Sequence, residues 1–224
     1  DFSSALYVRG STPDQNLIML DGITVYNPFH IGGVFSTFNT DAIKEANFHA
    51  GGFSARHGGR MGSILNIINR EGNTEEFMGK ANISLISSKA LMEGPLHINN
   101  KLQGSWMLAG RRTYFDKVVD AIMYLAKKKM EDEPDYDPDE IPNHVFPYYF
   151  YDIQAKTSLD FGLDHRLVLS GFYGDDILYF SQAGDYDYTS YYNQYEKYEQ
   201  YETIFDWKWG NKTTSLRCRW IINP

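Results

Sequence analysis

Apolar and polar side chains alternate with period two from about residue 78 onward. In "YYFYDIQAKTSLDF", Tyr149, Tyr151, Ile153, Ala155, Thr157 and Leu159 share one face, and Phe150, Asp152, Gln154, Lys156, Ser158 and Asp160 the other. "YETIFDWKW" sets Tyr201, Thr203, Phe205, Trp207 and Trp209 against Glu202, Ile204, Asp206 and Lys208. "TSLRCRWII" sets Leu216, Cys218 and Trp220 against Ser215, Arg217 and Arg219. In "LQGSWMLAGRRTY", Leu102, Trp106 and Leu108 oppose Gln103, Ser105 and Arg111. "RLVLSGFYGDD" places Leu167, Leu169 and Tyr173 together, and "GKANISLISSKALMEGPL" alternates in two halves. Successive side chains of a strand point to opposite faces, so each segment predicts a strand. Their length, roughly 10 residues or slightly more, is what a tilted strand needs to cross a bilayer.

The first 73 residues follow a different grammar. In "NLIMLDGITVYNPFH" (16–30) two apolar runs meet at Asp21-Gly22, which predicts a type I′ hairpin because both central residues need φ > 0. "ALYVRG" (5–10) reads as a strand, and "ILNIINR" (64–70) as another. "NTDAIKEANFHAGG" (39–52) reads as a capped helical turn that becomes a brief strand around Ala46–His49. "SARHGGRMGS" (54–63) reads as a bent loop. Together these predict a small mixed α/β unit at residues 1–75, followed by antiparallel strands over 76–224.

A soluble β-sandwich also alternates. Two features favour a transmembrane barrel. "HINN" (97–100), "GLD" (162–164) and "GNK" (210–212) read as tight turns, with long connections near 115–147 and 178–199 between them. Short turns on one side and long loops on the other are the outer-membrane pattern. Aromatics at strand ends, as in "PYYFY" and "DWKWG", suit interfacial girdles.

Composition narrows the function classes. The chain has 224 residues, 16% aromatic with 17 tyrosines, and a formal net charge of −8, which argues against nucleic-acid binding. Its single cysteine, Cys218, excludes an internal disulfide framework. No run of about 18 apolar residues predicts a membrane helix, and the opening "DFSSALYVRG" shows no signal-peptide pattern.

Motifs for chemistry are weak. "GGFSARHGG" fits neither the Walker pattern nor G-x-G-x-x-G, and Ser54 lacks a nucleophile elbow. The six histidines show no H-E-x-x-H spacing, so neither a metal nor a cofactor is expected, and the chain does not read as an enzyme. The acidic run "MEDEPDYDPDEIP" (130–142) reads as a solvated outer loop, with calcium binding as the alternative. The Tyr-rich segment 184–202 reads as either a ligand-stacking loop or an aromatic girdle. Arg112 reads as a rim arginine or one reaching toward lipopolysaccharide phosphates.

"YVRGSTPDQNLIMLDGITVYNPFH" followed by "FSTFNTDAIKEANFHAGGFSARHGGRMGSILNIINREGN" closely resembles the plug domain of TonB-dependent outer-membrane receptors. "LMEGPL", "GRRTYFD" and "LVLSGFYGDD" resemble that family's first barrel strands. The resemblance implies an outer-membrane protein of a Gram-negative bacterium, powered by the TonB complex through an upstream segment. It implies active uptake of a scarce nutrient such as a siderophore, vitamin, peptide or oligosaccharide, with a surface lipoprotein or larger envelope complex as further partner. About seven strands are legible here, whereas such plugged barrels have about 22, so the chain reads as a piece of a longer receptor. The alternative is a non-transporting structural or scaffold barrel subunit of an outer-membrane complex. Under the importer reading, Tyr26, Asn27, Phe29 and His30 of the post-hairpin loop, with lumen-facing Arg111, are the candidate ligand-binding residues.

Overall fold

The structure, a computed structural model, describes residues 6–99, 102–130, 148–189 and 196–222; side chains of 32, 98–99, 180–189 and 196–202 lie outside the description. It is mainly β. The N-terminal part holds β1 (Asn16–Leu20), β2 (Ile23–Thr24), β3 (Phe29–His30), β4 (Phe35–Ser36), β5 (Ile43–His49) and β6 (Ser63–Asn69). The remainder holds β7 (Met78–Ile83), β8 (Ser87–Asn99), β9 (Leu102–Thr113), α1 (Phe115–Met130), β10 (Tyr148–Phe161), β11 (His165–Thr189) and β12 (Glu196–Trp220).

The Asp-Gly hairpin forms where the sequence places it. Asp21 and Gly22 have φ of 51° and 85°, and Leu20 pairs with Ile23. β1 is central in a sheet of order β2-β1-β6-β5, parallel to β6. Flanked on both edges, its five residues are all buried, which explains a continuous apolar run rather than alternation. Ile18, Leu20, Val25, Phe38 and Ile67 form the main core, joined by Phe172 of β11.

Local expectations for this part need three amendments. "ALYVRG" makes no strand among the described residues: Arg9 and Gly10 turn with positive φ, and Val8 bridges Ser11. The helical turn expected after Thr40 is a single turn, Ala42 N–H to Asn39 O, and β5 begins already at Ile43. Among the described residues, helix here is confined to two 3₁₀ turns, at Pro13–Gln15 and Ile31–Gly33.

β7 to β12 form an antiparallel sheet in sequential order, open at both edges among the described residues. The tight connection at 162–164 is as expected; of "HINN" (97–100), residues 97–99 continue β8 and residue 100 lies outside the described residues; and "GNK" is not a turn, because β12 runs straight through it. A Cβ at Gly210 would lie 2.0 Å from the Gly174 carbonyl oxygen. Glycine is there for close approach of backbones, not for reversal. The expected loop at 178–199 is also largely strand: β11 extends to Thr189 and β12 starts at Glu196. With 25 residues each, these strands exceed the roughly 10 residues that a bilayer crossing needs. The ligand-stacking reading of the Tyr-rich segment and the calcium reading of residues 131–142 fall outside the described side chains.

The chain divides into two units: residues 1–113, 150–176 and 210–224, and residues 114–149 and 177–209. The second contains α1, which occupies part of the expected long connection. Val118, Ile122 and Leu125 recur at helical spacing, Asp116 sits in the first turn and Lys127–Lys129 in the last, matching the helix dipole. No described helix is long and apolar enough to cross a membrane, which does not bear on crossing by strands.

Candidate functional site

The buried face of the long sheet is polar along β10, whereas the neighbouring β8 and β9 place Leu91, Met107 and Ala109 on the same side. In β10, Asp152, Gln154, Lys156 and Ser158 are at most 4% exposed, while Ile153 on the opposite face is 45% exposed. The outward-facing Leu108, Leu169, Leu216 and Trp220 are likewise exposed. A strand of a water-soluble sheet buries its apolar side; β10 below Phe150 buries its polar side instead. The polar face is covered by the N-terminal sheet.

Three contacts fix that cover. At the hairpin tip, Lys156 Nζ donates to Asp21 Oδ1 at 2.6 Å and to Asn69 O at 2.9 Å. Asp21 Oδ1 also accepts from Asn69 N–H, and Arg217 donates to Asp21 O at 3.2 Å. Below it, Asp41 takes Lys80 and Lys89 of β7 and β8, which hold its carboxyl below the usual carboxylate range chiefly through those hydrogen bonds. Beside Lys156, both amide atoms of Gln154 and Asn69 Oδ1 have no protein partner. Buried groups of this kind are ordinarily satisfied by water.

The third contact is centred on His30, 1% exposed. Its Nε2 lies 2.8 Å from Asp152 Oδ1 of β10, and its Nδ1 2.7 Å from Asp176 Oδ2 of β11. Phe150 stacks on the imidazole with centroids 3.8 Å apart. Arg111 Nε donates to Asp152 Oδ2 at 2.7 Å, its Nη2 bonds the same oxygen, and Nη2 donates to Ser36 O of β4 at 2.7 Å. The two carboxylates approach opposite edges of the ring and do not converge; among the described residues no group of three or more His, Cys, Asp or Glu is arranged to hold a metal ion. Burial pushes the His30 pKa down, but hydrogen bonds and charges from Asp152 and Asp176 outweigh it and raise it above the ordinary histidine value.

The structure therefore separates the five candidate residues. Tyr26, Asn27 and Phe29 line a cavity of about 400 Å³ in the N-terminal part, with Asp14 and Arg60 also on its wall. Tyr26 is 82% exposed. Asn211 of β12 donates to Asn27 O at 2.6 Å, which holds the loop by its backbone. His30 and Arg111 have their polar groups engaged in the buried cluster, one residue beyond the cavity loop. Their partners Asp152 and Asp176, and the Lys156 that meets Asp21, carry no sequence signal for these pairings. The available signal was parity: Asp152 and Lys156 sit on the polar face of β10, where charges within a crossing strand must find company.

The fold thus has a compact sheet that fills the polar side of a wall made of long antiparallel strands. Residues 1–63 match the family model described as TonB-dependent Receptor Plug Domain. That part of the chain is similar to this family. No curated protein matches the chain. The plug family is one of Gram-negative outer-membrane receptors, which work with TonB and with ligands; it points to a receptor or transporter rather than an enzyme. The β-rich fold, with its open antiparallel sheet, fits a plug and part of a barrel.

Proposed function

We propose that the chain is the plug, residues 1–75, and the first wall strands, from residue 76, of an outer-membrane receptor that takes up a scarce nutrient by TonB-dependent transport. The observation that carries this is the alternation of β10, which buries Asp152, Gln154, Lys156 and Ser158 and exposes Ile153 on its other face. Lipid is the medium that rewards such a face, and a water-filled or plugged lumen the one that accepts the polar face. The upstream segment that engages TonB and the strands that close the barrel lie in other parts of the receptor, since open edges are not tolerated in hydrocarbon.

Ligand is held by Tyr26, Asn27 and Phe29 at the plug cavity, with His30 and Arg111 fixing the loop from behind. Two aromatic rings with an amide suit a ligand of mixed polarity, such as a peptide, an oligosaccharide or a siderophore. Tyr26→Ala combined with Phe29→Ala in the full receptor should weaken ligand binding at least about tenfold, the loss of roughly 1.4 kcal/mol, with unchanged outer-membrane abundance. The ligand is first identified by growth of a deletion strain on candidate nutrients. Normal growth on all of them, with intact binding to an envelope partner, would favour the scaffold reading.

A further inference from the structure

The hydrogen-bond geometry at His30 fixes more than a contact. Each ring nitrogen faces a different carboxylate, on different strands, at 2.8 and 2.7 Å. An ionised carboxylate only accepts, so beside two ionised carboxylates each nitrogen donates and the ring is the imidazolium. A neutral imidazole would turn one lone pair toward a buried carboxylate. The charged groups that face the ring are Arg111 of β9, Asp152 of β10 and Asp176 of β11, with the Phe150 ring stacked on it. With imidazolium these four ionisable groups sum to zero; with neutral His30 a net negative charge is left buried.

Next to His30 the backbone is strained. Ile31 has φ of 48°, an outlier for a β-branched residue, and its N–H donates to Asp176 Oδ1 at 3.3 Å. Asp176 thus holds both His30 and the strained residue, while Arg111 ties Asp152 to β4 through Ser36 O. The segment 29–36 is fastened to β10 and β11 through the His30 ring and to β9 through Arg111 and Ser36 O.

We propose that His30 is a proton-operated bolt between plug and wall: as imidazolium it pins segment 29–36 to Asp152 and Asp176, and loss of one proton frees that segment, relaxing Ile31. His30 is then a positioning residue for the loop 26–29 and makes plug release depend on local proton activity. The inference stands on the cluster's geometry and does not need the ligand or transport to be known.

The sign follows from the raised pKa. The stabilisation is complete below the ordinary histidine value and is lost as pH rises through the higher folded value. The test is nitrogen NMR of ¹⁵N-histidine-labelled full-length receptor in outer-membrane lipid. His30 is assigned by the resonances lost in His30→Gln or, should that variant not reach the membrane, by dipolar contact with labelled phenylalanine at Phe150. Both His30 nitrogens should be protonated at about pH 7 and lose one proton only at higher pH. Over the same step, amide-exchange protection of residues 29–36, corrected for intrinsic base catalysis, should fall, with no such step in His30→Gln. One bare ring nitrogen at about pH 7, or unchanged protection when the ring deprotonates, would overturn the proposal.

Discussion

Replacing Lys156 with methionine will destabilise the plug within the receptor by roughly 3–5 kcal/mol, the cost of stranding one member of a buried ion pair. Lys156 and Asp21 are both nearly inaccessible, and Lys156 also satisfies Asn69 O. The loss comes from the Asp21 carboxylate left behind, not from the attraction alone. Asp21→Asn should therefore rescue much of it. Asparagine tolerates the left-handed backbone that position 21 requires, so the double variant tests charge and leaves the turn intact. Denaturant unfolding of the plug, followed in the detergent-solubilised receptor, reads both values. A Lys156→Met variant within about 0.5 kcal/mol of wild type would mean that the pair is already solvated.

The second large effect distinguishes lipid from water outside the wall. Ile153→Arg should cost roughly 2–4 kcal/mol if position 153 lies near the bilayer midplane. On a water-exposed sheet the same change at a 45% exposed position would fall within about ±0.5 kcal/mol. Leu163→Arg, in the tight turn and 94% exposed, is the control and should cost about 0–1 kcal/mol. Folding equilibria into liposomes measure both.

What the sequence disclosed was whatever local chemistry determines. Asp21-Gly22 specified the hairpin because few other pairs accept that backbone. The parity of β10 put Asp152, Gln154, Lys156 and Ser158 on one face, and that face is the buried one. The partners were not legible: Asp152 and Asp176 lie 122 and 146 residues from His30, and no local pattern marks such a pairing. His30 read as a loop residue facing a ligand because its flanking Asn-Pro and aromatics describe a loop, whereas its environment is set by two distant strands. "GNK" read as a turn because glycine has two uses, reversal and close approach, and only the neighbouring strand reveals which applies. Residues 178–199 read as a long loop because their polar residues hide strand, which β11 and β12 form over 178–189 and 196–199.

The measurement that bears most directly on the plug-and-wall account is a nitroxide scan along β10 and β12 of the full-length receptor in liposomes, with Cys218 replaced by serine. Labels at Ile153, Ala155, Thr157 and Leu216 should collide freely with lipid-dissolved oxygen, and labels at Gln154, Ser158 and Arg217 should be shielded from it. Equal collision rates at odd and even positions of β10, or the inverse alternation, would contradict a wall with lipid on one face and the plug on the other.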